Sequence, residues 1–155
     1  FIDRKENLVF LGQPGVGKTH LAAAIGINAC QAGYRVLFIG AHKLMSRLSG
    51  SLYTETLNIT LTDLSKYHLL IVDEFGYLPV KEDQANAFFQ LIARKYEKTS
   101  LIVTSNLNFD QWGKVLGNEV LAAAILDRLL HHCHIIQING DSYRLKGKKH
   151  KECDR

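Results

Sequence analysis

The sequence reads GQPGVGKT from Gly12 to Thr19. It matches a pattern of glycine, four residues, then Gly-Lys-Thr, lying between a short apolar run and a helical stretch. Glycines let the backbone curl so that its N–H groups converge, and the following helix adds partial positive charge. The pattern predicts a cradle for phosphates, in which Lys18 contacts the β- and γ-phosphates and Thr19 ligates Mg²⁺. A glycine-rich turn with these residues by chance is the alternative. The residues predicted to hold the nucleotide are Gly12, Gln13, Pro14, Gly15, Val16, Gly17, Lys18, Thr19 and His20.

Two adjacent carboxylates, Asp73 and Glu74, follow a second apolar run, His68 to Val72. We expect Asp73 to hold Mg²⁺ through water and Glu74 to polarise the water that attacks the γ-phosphate. A small-molecule kinase must keep water away from that phosphate, so the acidic pair favours hydrolysis over phosphate transfer. An acidic turn without function is the alternative. Asn106 ends a further run, where its amide either reads the γ-phosphate or merely closes a turn.

Strand-like and helix-like stretches alternate along the chain. The predicted strands are Asn7 to Leu11, Val36 to Ile39, Leu69 to Val72, Leu101 to Thr104 and His134 to Ile138. The predicted helices are Leu21 to Ala32, about Lys43 to Leu48, Glu82 to Glu97, and Glu119 to Leu130 with Asn118 as its cap. The first helix is apolar on every side, which predicts that it is buried. The polar segment from Ser49 to Asn58 is expected to be a loop or a broken helix.

This alternation indicates an α/β fold in which helices cover both faces of a five-stranded, mostly parallel sheet. Ligands of such sheets gather at the carboxyl ends of the strands, where the cradle and the acidic pair are expected. At 155 residues the chain is long enough for one domain. Because Phe1 is not methionine, we expect residues 1–155 to be a core that lacks an N-terminal domain.

The composition is that of a globular protein, with 46% hydrophobic and 22% charged residues. No apolar run is long enough to cross a bilayer and none resembles a signal peptide, so a cytoplasmic location is expected. The net charge of +4 mildly favours nucleic acid. The last ten residues contain Lys146, Lys148, Lys149, His150 and Lys151, a pattern more typical of a solvated tail than of a DNA contact.

Four smaller features lead to further predictions. The cysteines Cys30, Cys133 and Cys153 are odd in number and widely spaced, which indicates reduced thiols. The cluster from His131 to His134 contains possible metal ligands, but neighbours on a short turn seldom point to one centre, so a metal is not favoured. Trp112 is expected to be a packing anchor, and Phe1 with Ile2 is a candidate cover for an adenine ring.

The sequence resembles the AAA+ ATPases, and within them the IstB and DnaC-like group of transposition helpers and helicase loaders. The residues that carry this resemblance are GQPGVGKTHLA from Gly12, LLIVDEFGYLP from Leu69, VTSN from Val103, ILDRLLHH from Ile125 and DSYRLK from Asp141. The resemblance implies a P-loop NTPase fold of three layers, with little or no helical lid after Arg144.

The resemblance also implies roles that the residues alone do not. Asn106 takes the sensor position, Arg144 a second sensor position, and Arg128 that of an arginine finger that acts on a neighbouring subunit's ATP. Without the resemblance, Arg128 reads equally well as surface charge. The implied assembly is a homo-oligomer formed on double-stranded DNA with ATP, weakly active as an isolated core, which recruits an IstA-like transposase. Loading of a replicative helicase, a small-molecule kinase and a nucleotide-dependent switch without hydrolysis are the alternatives.

Overall fold

A computed structural model of the chain describes residues 1–146. The five strands are β1 (Asn7–Gly12), β2 (Val36–Gly40), β3 (Leu69–Phe75), β4 (Ser100–Ser105) and β5 (Cys133–Ile138). The helices are α1 (Lys18–Gln31), α2 (Ala41–Tyr53), α3 (Leu57–Ser65), α4 (Glu82–Lys95), α5 (Trp112–Leu116), α6 (Glu119–Leu130) and α7 (Tyr143–Lys146), with a 3₁₀ turn at Phe109–Gln111. The predictions for Lys148, Lys149, His150, Lys151 and Cys153 lie outside the described residues.

The strands form one sheet in the order β2-β3-β4-β1-β5, and every neighbouring pair is parallel. Val9 of β1 pairs with Val103 of β4 on one side and with Ile135 of β5 on the other. This order places β4 between β1 and β3, so the segments that follow these three strands meet at one edge. The prediction of a parallel sheet is confirmed.

Alternate side chains of the strands point into two separate cores. One face, with Val9, Val72 and Val103, packs against residues from α2 to α6. The other face, with Phe10 and Ile71, packs against α1 and the start of the chain. Helices therefore cover both faces of the sheet, and the three-layer α/β architecture is confirmed.

One prediction about the helices is wrong and one is confirmed. The first helix, α1, is not buried on all sides, because Leu21 and Ile27 are 46% and 58% exposed. Only the side of α1 with Ala22 and Ala29 is buried in the core on that face of the sheet. The segment from Ser49 to Asn58 is a broken helix, one of its two predicted forms, because it belongs to α2 and to the start of α3 with a break at residues 54–56. The sequence reading missed α3, although its leucines 57, 61 and 64 have helical spacing.

Three smaller predictions are confirmed. Asn118 caps α6 by accepting a hydrogen bond from the Leu121 N–H at 2.9 Å. Trp112 is fully buried, with its ring centroid 4.1 Å from that of Phe75. Among the described residues, Cys30 and Cys133 are free thiols.

Within residues 1–146, no helix has the length and apolar character needed to cross a membrane.

Candidate nucleotide site

The loop from Gly12 to Thr19 connects β1 to α1 and curls back on itself. Gly15 and Gly17 have φ angles of +85° and +98°, in the left-handed region that favours glycine. A Cβ atom on Gly15 would also overlap the hydroxyl of Ser142. Backbone conformation therefore requires glycine at both positions, and close approach of the chain adds a second requirement at Gly15.

Lys18 directs its ammonium group into this loop. Its Nζ donates to the carbonyl oxygens of Gly12 and Gln13, each at 2.8 Å, and the residue is only 7% exposed. Burial is the largest influence on Lys18 and lowers the pKa of its ammonium group, while the nearby Asp73 carboxylate acts in the opposite direction. A positive charge is thus held at the centre of the loop, where an anionic ligand would gain most from it.

Thr19 and Asp73 face each other across the sheet edge. The Thr19 hydroxyl lies 3.0 and 3.1 Å from the two carboxylate oxygens of Asp73. The hydroxyl of Thr104 donates to Asp73 Oδ1 at 2.5 Å, and both Asp73 and Thr104 are buried. A hydroxyl and a carboxylate are the hard oxygen ligands that Mg²⁺ prefers, so this pair fits the predicted metal.

Glu74 occupies an irregular point of β3. Its φ angle is +60°, uncommon for a residue with a side chain, and the pairing of β3 with β4 shifts between Val72 and Phe75. The Glu74 N–H donates to the Thr104 hydroxyl at 2.9 Å. Asp73 is buried while Glu74 is exposed, because this irregularity turns the second carboxylate out of the sheet. The adjacent acids are thereby given different environments.

Lys18, Thr19, Glu74 and Thr104 line one cleft of about 370 Å³, within the range of small-molecule sites, and Asp73 contacts two of these residues. Its walls are formed by residues Gly15 to His20, Glu74, Tyr77, Thr104, Tyr143 and Arg144. The structure therefore brings together most of the loop, the acid at the end of β3 and one of the two predicted arginines. Gly12 and Gln13 contribute through their carbonyl oxygens, and Pro14 is exposed in the same loop.

The segment after β5 returns to the loop. The Tyr143 N–H donates to the Gly15 carbonyl at 3.0 Å, which fixes the start of α7 beside the cradle. Arg144 lines the cleft from there, and its charge is among the influences that lower the pKa of Lys18. Two cations therefore face the same space, an arrangement that suits a ligand with several negative charges.

Asn106 lies directly after β4, the strand between β1 and β3. Its Oδ1 atom is buried and has no hydrogen-bond partner among the described residues. Its side chain does not line the cleft. An unpaired buried amide oxygen is costly, which favours a partner supplied by water or a ligand.

Arg128 lies elsewhere. It sits in the last turn of α6, just before β5 begins, so it is near the amino ends of the strands while the cleft is at their carboxyl ends. Its guanidinium donates to the Ala124 carbonyl at 3.1 Å and lies 4.9 Å from the centre of the Phe89 ring. The structure does not bring Arg128 to the cleft of its own chain.

Three residues of the cleft, Tyr77, Thr104 and Tyr143, were not singled out from the sequence. Thr104 follows the apolar run Leu101 to Val103, and this change to a polar residue near the end of the strand is the signal that could have identified it. Tyr77 follows the acidic pair by three positions and has no comparable signal. Burial and then the Glu74 carboxylate raise the pKa of the Tyr77 hydroxyl, so it is a neutral donor in the cleft.

Phe1 and Ile2 do not line the cleft, in contrast to the prediction that they cover an adenine ring. Both pack with Ala29, near the end of α1 that is distant from the loop. Ile2 is buried there, because its apolar surface completes the smaller of the two cores.

The chain is similar to known proteins over almost its entire length. A family model described as "IstB-like ATP binding protein" matches residues 1–151. The insertion sequence IS21 putative ATP-binding protein of Pseudomonas aeruginosa is 50% identical over 149 residues, covering 96% of this chain and 56% of that protein. The chain thus spans a little more than half the length of the curated relatives it matches.

Solved structures share the fold. The replication initiator DnaA bound to AMPPCP and single-stranded DNA matches with a TM-score of 0.72 and 27% identity, over 97% of this chain and 46% of that one. The DnaC helicase loader matches with a TM-score of 0.74 and 21% identity, over 90% of this chain and 81% of that one. The second likeness concerns the fold alone.

Proposed function

Because the chain belongs to the family of IstB-like ATP-binding proteins, we propose that it binds ATP with Mg²⁺, hydrolyses it, and acts on double-stranded DNA with a transposase. The observation that carries the proposal is the meeting of the Lys18 ammonium, the Thr19–Asp73 pair and the Glu74 carboxylate in one cleft. The similar DnaA, whose structure holds AMPPCP, supports a triphosphate as the ligand.

Lys18 binds the phosphates in this proposal. Its ammonium now bonds to two loop carbonyls, and it needs only to turn toward the cleft to contact the β- and γ-phosphates. The N–H groups around Gly15 and Gly17 and the N-terminus of α1 surround the same anion. Arg144 adds a second cation from α7. Burial disfavours the charged form of Lys18, and bound phosphates would offset this by attracting its ammonium group.

Thr19 and Asp73 would hold the magnesium ion, which when bound neutralises charge that develops on the phosphate oxygens. Asp73 is fixed on two sides, by the hydroxyls of Thr19 and Thr104. Its carboxylate therefore needs no large movement to act, directly or through water. The two hydroxyl partners also keep the carboxylate in place beside Thr19, which lines the cleft.

Glu74 would orient and deprotonate the attacking water. Its carboxylate is exposed to the cleft, whereas that of Asp73 is engaged with two hydroxyls. The left-handed backbone at Glu74 gives the side chain this direction, and Thr104 holds the backbone in place. Asn106 would accept a hydrogen bond from the same water through its amide oxygen, which is buried without a partner among residues 1–146, or donate to the γ-phosphate through its amide N–H groups.

Arg128 would complete the site of a neighbouring subunit. It lies near the amino ends of the strands, whereas the cleft of its own chain is at their carboxyl ends. A role of Arg128 in hydrolysis therefore requires the cleft of a second subunit. A guanidinium supplied by a neighbour stabilises the charge of the transition state and makes hydrolysis depend on assembly. The isolated chain would then have low activity, which rises as subunits meet on DNA.

DNA and the transposase enter the proposal through the relatives. The Pseudomonas relative is named for an insertion sequence, and the similar DnaA structure contains single-stranded DNA. The net charge of +4 is compatible with binding to phosphates of DNA. A replicative helicase is the alternative partner, and pull-down with a transposase and with a helicase would separate the two.

The test of hydrolysis uses two variants that fail for different reasons. Glu74→Gln should retain ATP, while its hydrolysis falls by about 100- to 10,000-fold, the range for loss of a general base. Arg128→Ala should also be inactive, since no subunit then supplies the guanidinium. Glu82→Gln, at the exposed start of α4, is the matched control. Phosphate release and binding of a fluorescent ATP analogue are the measurements.

Mixing the two inactive variants tests the shared site directly. A subunit with Arg128→Ala keeps its own Glu74, and a neighbour with Glu74→Gln supplies the arginine. With DNA present, the mixture should therefore hydrolyse ATP faster than either variant alone. A mixture no faster than the sum of its parts would rule out an arginine supplied by a neighbour. Equal loss of ATP binding and hydrolysis in Glu74→Gln would rule out Glu74 as the base that activates the attacking water.

A further inference from the structure

Three side chains with metal-ligating atoms meet at the surface, at the edge of the sheet opposite to the cleft. Glu97 lies in the turn between α4 and β4, and His131 and His132 lie in the turn between α6 and β5. Glu97 Oε1 is 3.6 Å from His131 Nδ1 and 3.5 Å from His132 Nε2. All three ligand atoms lie within 4.8 Å of one another, and all three residues are exposed.

We propose that Glu97, His131 and His132 bind a divalent first-row transition metal, with Zn²⁺ as the representative ion. Ligand atoms that surround Zn²⁺ tetrahedrally at about 2.0–2.2 Å are separated by roughly 3.3–3.6 Å. The two distances from Glu97 agree with this spacing. Imidazole nitrogens suit Zn²⁺ and similar ions, whereas Mg²⁺ prefers oxygen ligands, so this site differs chemically from that at Thr19 and Asp73. Three protein ligands leave a fourth position for water.

The backbone around the three ligands is already fixed. The His132 carbonyl accepts a hydrogen bond of 2.7 Å from the Asn7 N–H, at the start of β1. The N–H groups of Lys98 and Thr99 donate to the Lys95 carbonyl at 3.0 and 3.1 Å, which closes the turn that carries Glu97. Metal binding would therefore require movement of side chains rather than folding of the chain.

The side chains are also close to their required positions. The rings of His131 and His132 have centroids 4.1 Å apart, and Glu97 approaches both rings. The hydroxyl of Tyr96 is 3.0 Å from His131 Nδ1. A metal at that nitrogen would replace this single hydrogen bond, so one weak interaction is exchanged for coordination.

The remaining histidine of the sequence cluster belongs to a different contact. His134 lies within β5, and its Nε2 is 3.0 Å from Glu6 Oε2. That pair is also an exposed imidazole with a carboxylate, but no third ligand joins it among the described residues. It is therefore a matched control for nonspecific metal binding to a histidine beside an acid.

The experiment uses the chain without a histidine tag, freed of metal and kept in millimolar Mg²⁺. Calorimetric titration with Zn²⁺ should show one site that Mg²⁺ does not occupy, and Co²⁺ should give visible d–d absorption bands. Each of His131→Ala, His132→Ala and Glu97→Gln should weaken Zn²⁺ binding by about 100-fold or more, since loss of an outer-shell partner already costs up to 100-fold. His134→Ala should leave the affinity unchanged.

Zn²⁺ affinity unchanged in the three ligand variants, or weakened equally by His134→Ala, would overturn the proposal and leave only a surface ion cluster. Circular dichroism shows whether each variant is folded, and Glu97→Gln preserves the size of the side chain. Binding of ATP should be unaffected in all four variants. Failure of this proposal is thereby distinguishable from failure of the proposed ATPase function.

Discussion

Lys18 and Lys95 are both buried by the fold, and they lie at opposite edges of the sheet. Lys18 begins α1, after the carboxyl end of β1, and Lys95 ends α4, before the amino end of β4. Lys18 is 7% exposed and Lys95 is 1% exposed. Lys18 Nζ lies in a cleft with carboxylates nearby, whereas Lys95 Nζ donates to the Tyr67 carbonyl at 3.3 Å and the Thr99 hydroxyl at 2.9 Å.

The difference shows how the same side chain serves two purposes. Burial lowers the pKa of both ammonium groups, and for Lys95 it does so to about 8 with no opposing charge. Lys95 satisfies neutral groups inside the protein, and its charge destabilises the folded state. Lys18 lies beside a cleft lined by other charged groups, so its ammonium can turn from the loop carbonyls to a ligand. The carboxyl ends of the strands, near Lys18, therefore face a ligand site, whereas the amino ends, near Lys95, have a structural role.

The largest expected effect separates the two lysines by the same substitution. Lys18→Met should weaken ATP binding by about 100-fold or more, because two charge-assisted contacts to phosphate are lost at about 1.5–3 kcal/mol each. Lys95→Met should bind ATP as the unchanged protein does. Equilibrium binding of a fluorescent ATP analogue measures both. A similar loss of affinity in the two variants would show that nucleotide binding responds only to general damage.

The second effect is on stability, and it depends on pH. Lys95 has an ordinary pKa of 10.5 when unfolded and one of about 8 when folded, so the unfolded chain binds more protons between these values. The stability of the unchanged protein relative to Lys95→Met should therefore rise from about pH 8 to pH 10.5, by about 3 kcal/mol. Below pH 8 both states carry the proton, and the difference should be constant.

Denaturant unfolding of both proteins at several pH values checks this prediction. Comparison of the two removes other titrations, such as that of Cys133, whose pKa is raised by burial to about 11 and which acts in the opposite direction. Lys98→Met controls for the loss of an exposed charge in the adjoining turn. If the difference between wild type and Lys95→Met does not change with pH, burial has not shifted the pKa of Lys95.

The sequence predicts the residues at the carboxyl ends of the strands, where the cleft lies, better than those at the amino ends. The loop, Asp73 and Glu74 are identified because phosphate chemistry demands those residue types after particular strands, and the structure places them in or beside one cleft. Glu97 cannot be related to His131 from sequence, because 34 positions separate two turns that only the sheet order brings together. Burial of Lys95 is equally invisible, since a lysine at the end of an amphipathic helix reads as a surface charge.

Thr104 was not identified from the sequence, although it contacts Asp73 and Glu74, which were. Its substitution gives the smallest of the three expected effects. Its hydroxyl donates to Asp73 and accepts from the Glu74 N–H, so it holds both acids in their different orientations. Thr104→Val keeps the shape of the side chain and removes the hydroxyl. We expect kcat for ATP hydrolysis to fall about tenfold, or about 1.4 kcal/mol, with KM for ATP little changed.

Thr104→Ser distinguishes positioning from packing. Serine keeps the hydroxyl and removes only a methyl group, so kcat and the Mg²⁺ concentration for half-maximal rate should both be near those of the unchanged protein. A packing role would make serine the worse variant, because it leaves a cavity where valine does not. Steady-state kinetics at varied ATP and Mg²⁺ measure both quantities. A serine variant as slow as the valine variant would mean that the hydroxyl does not position the acids.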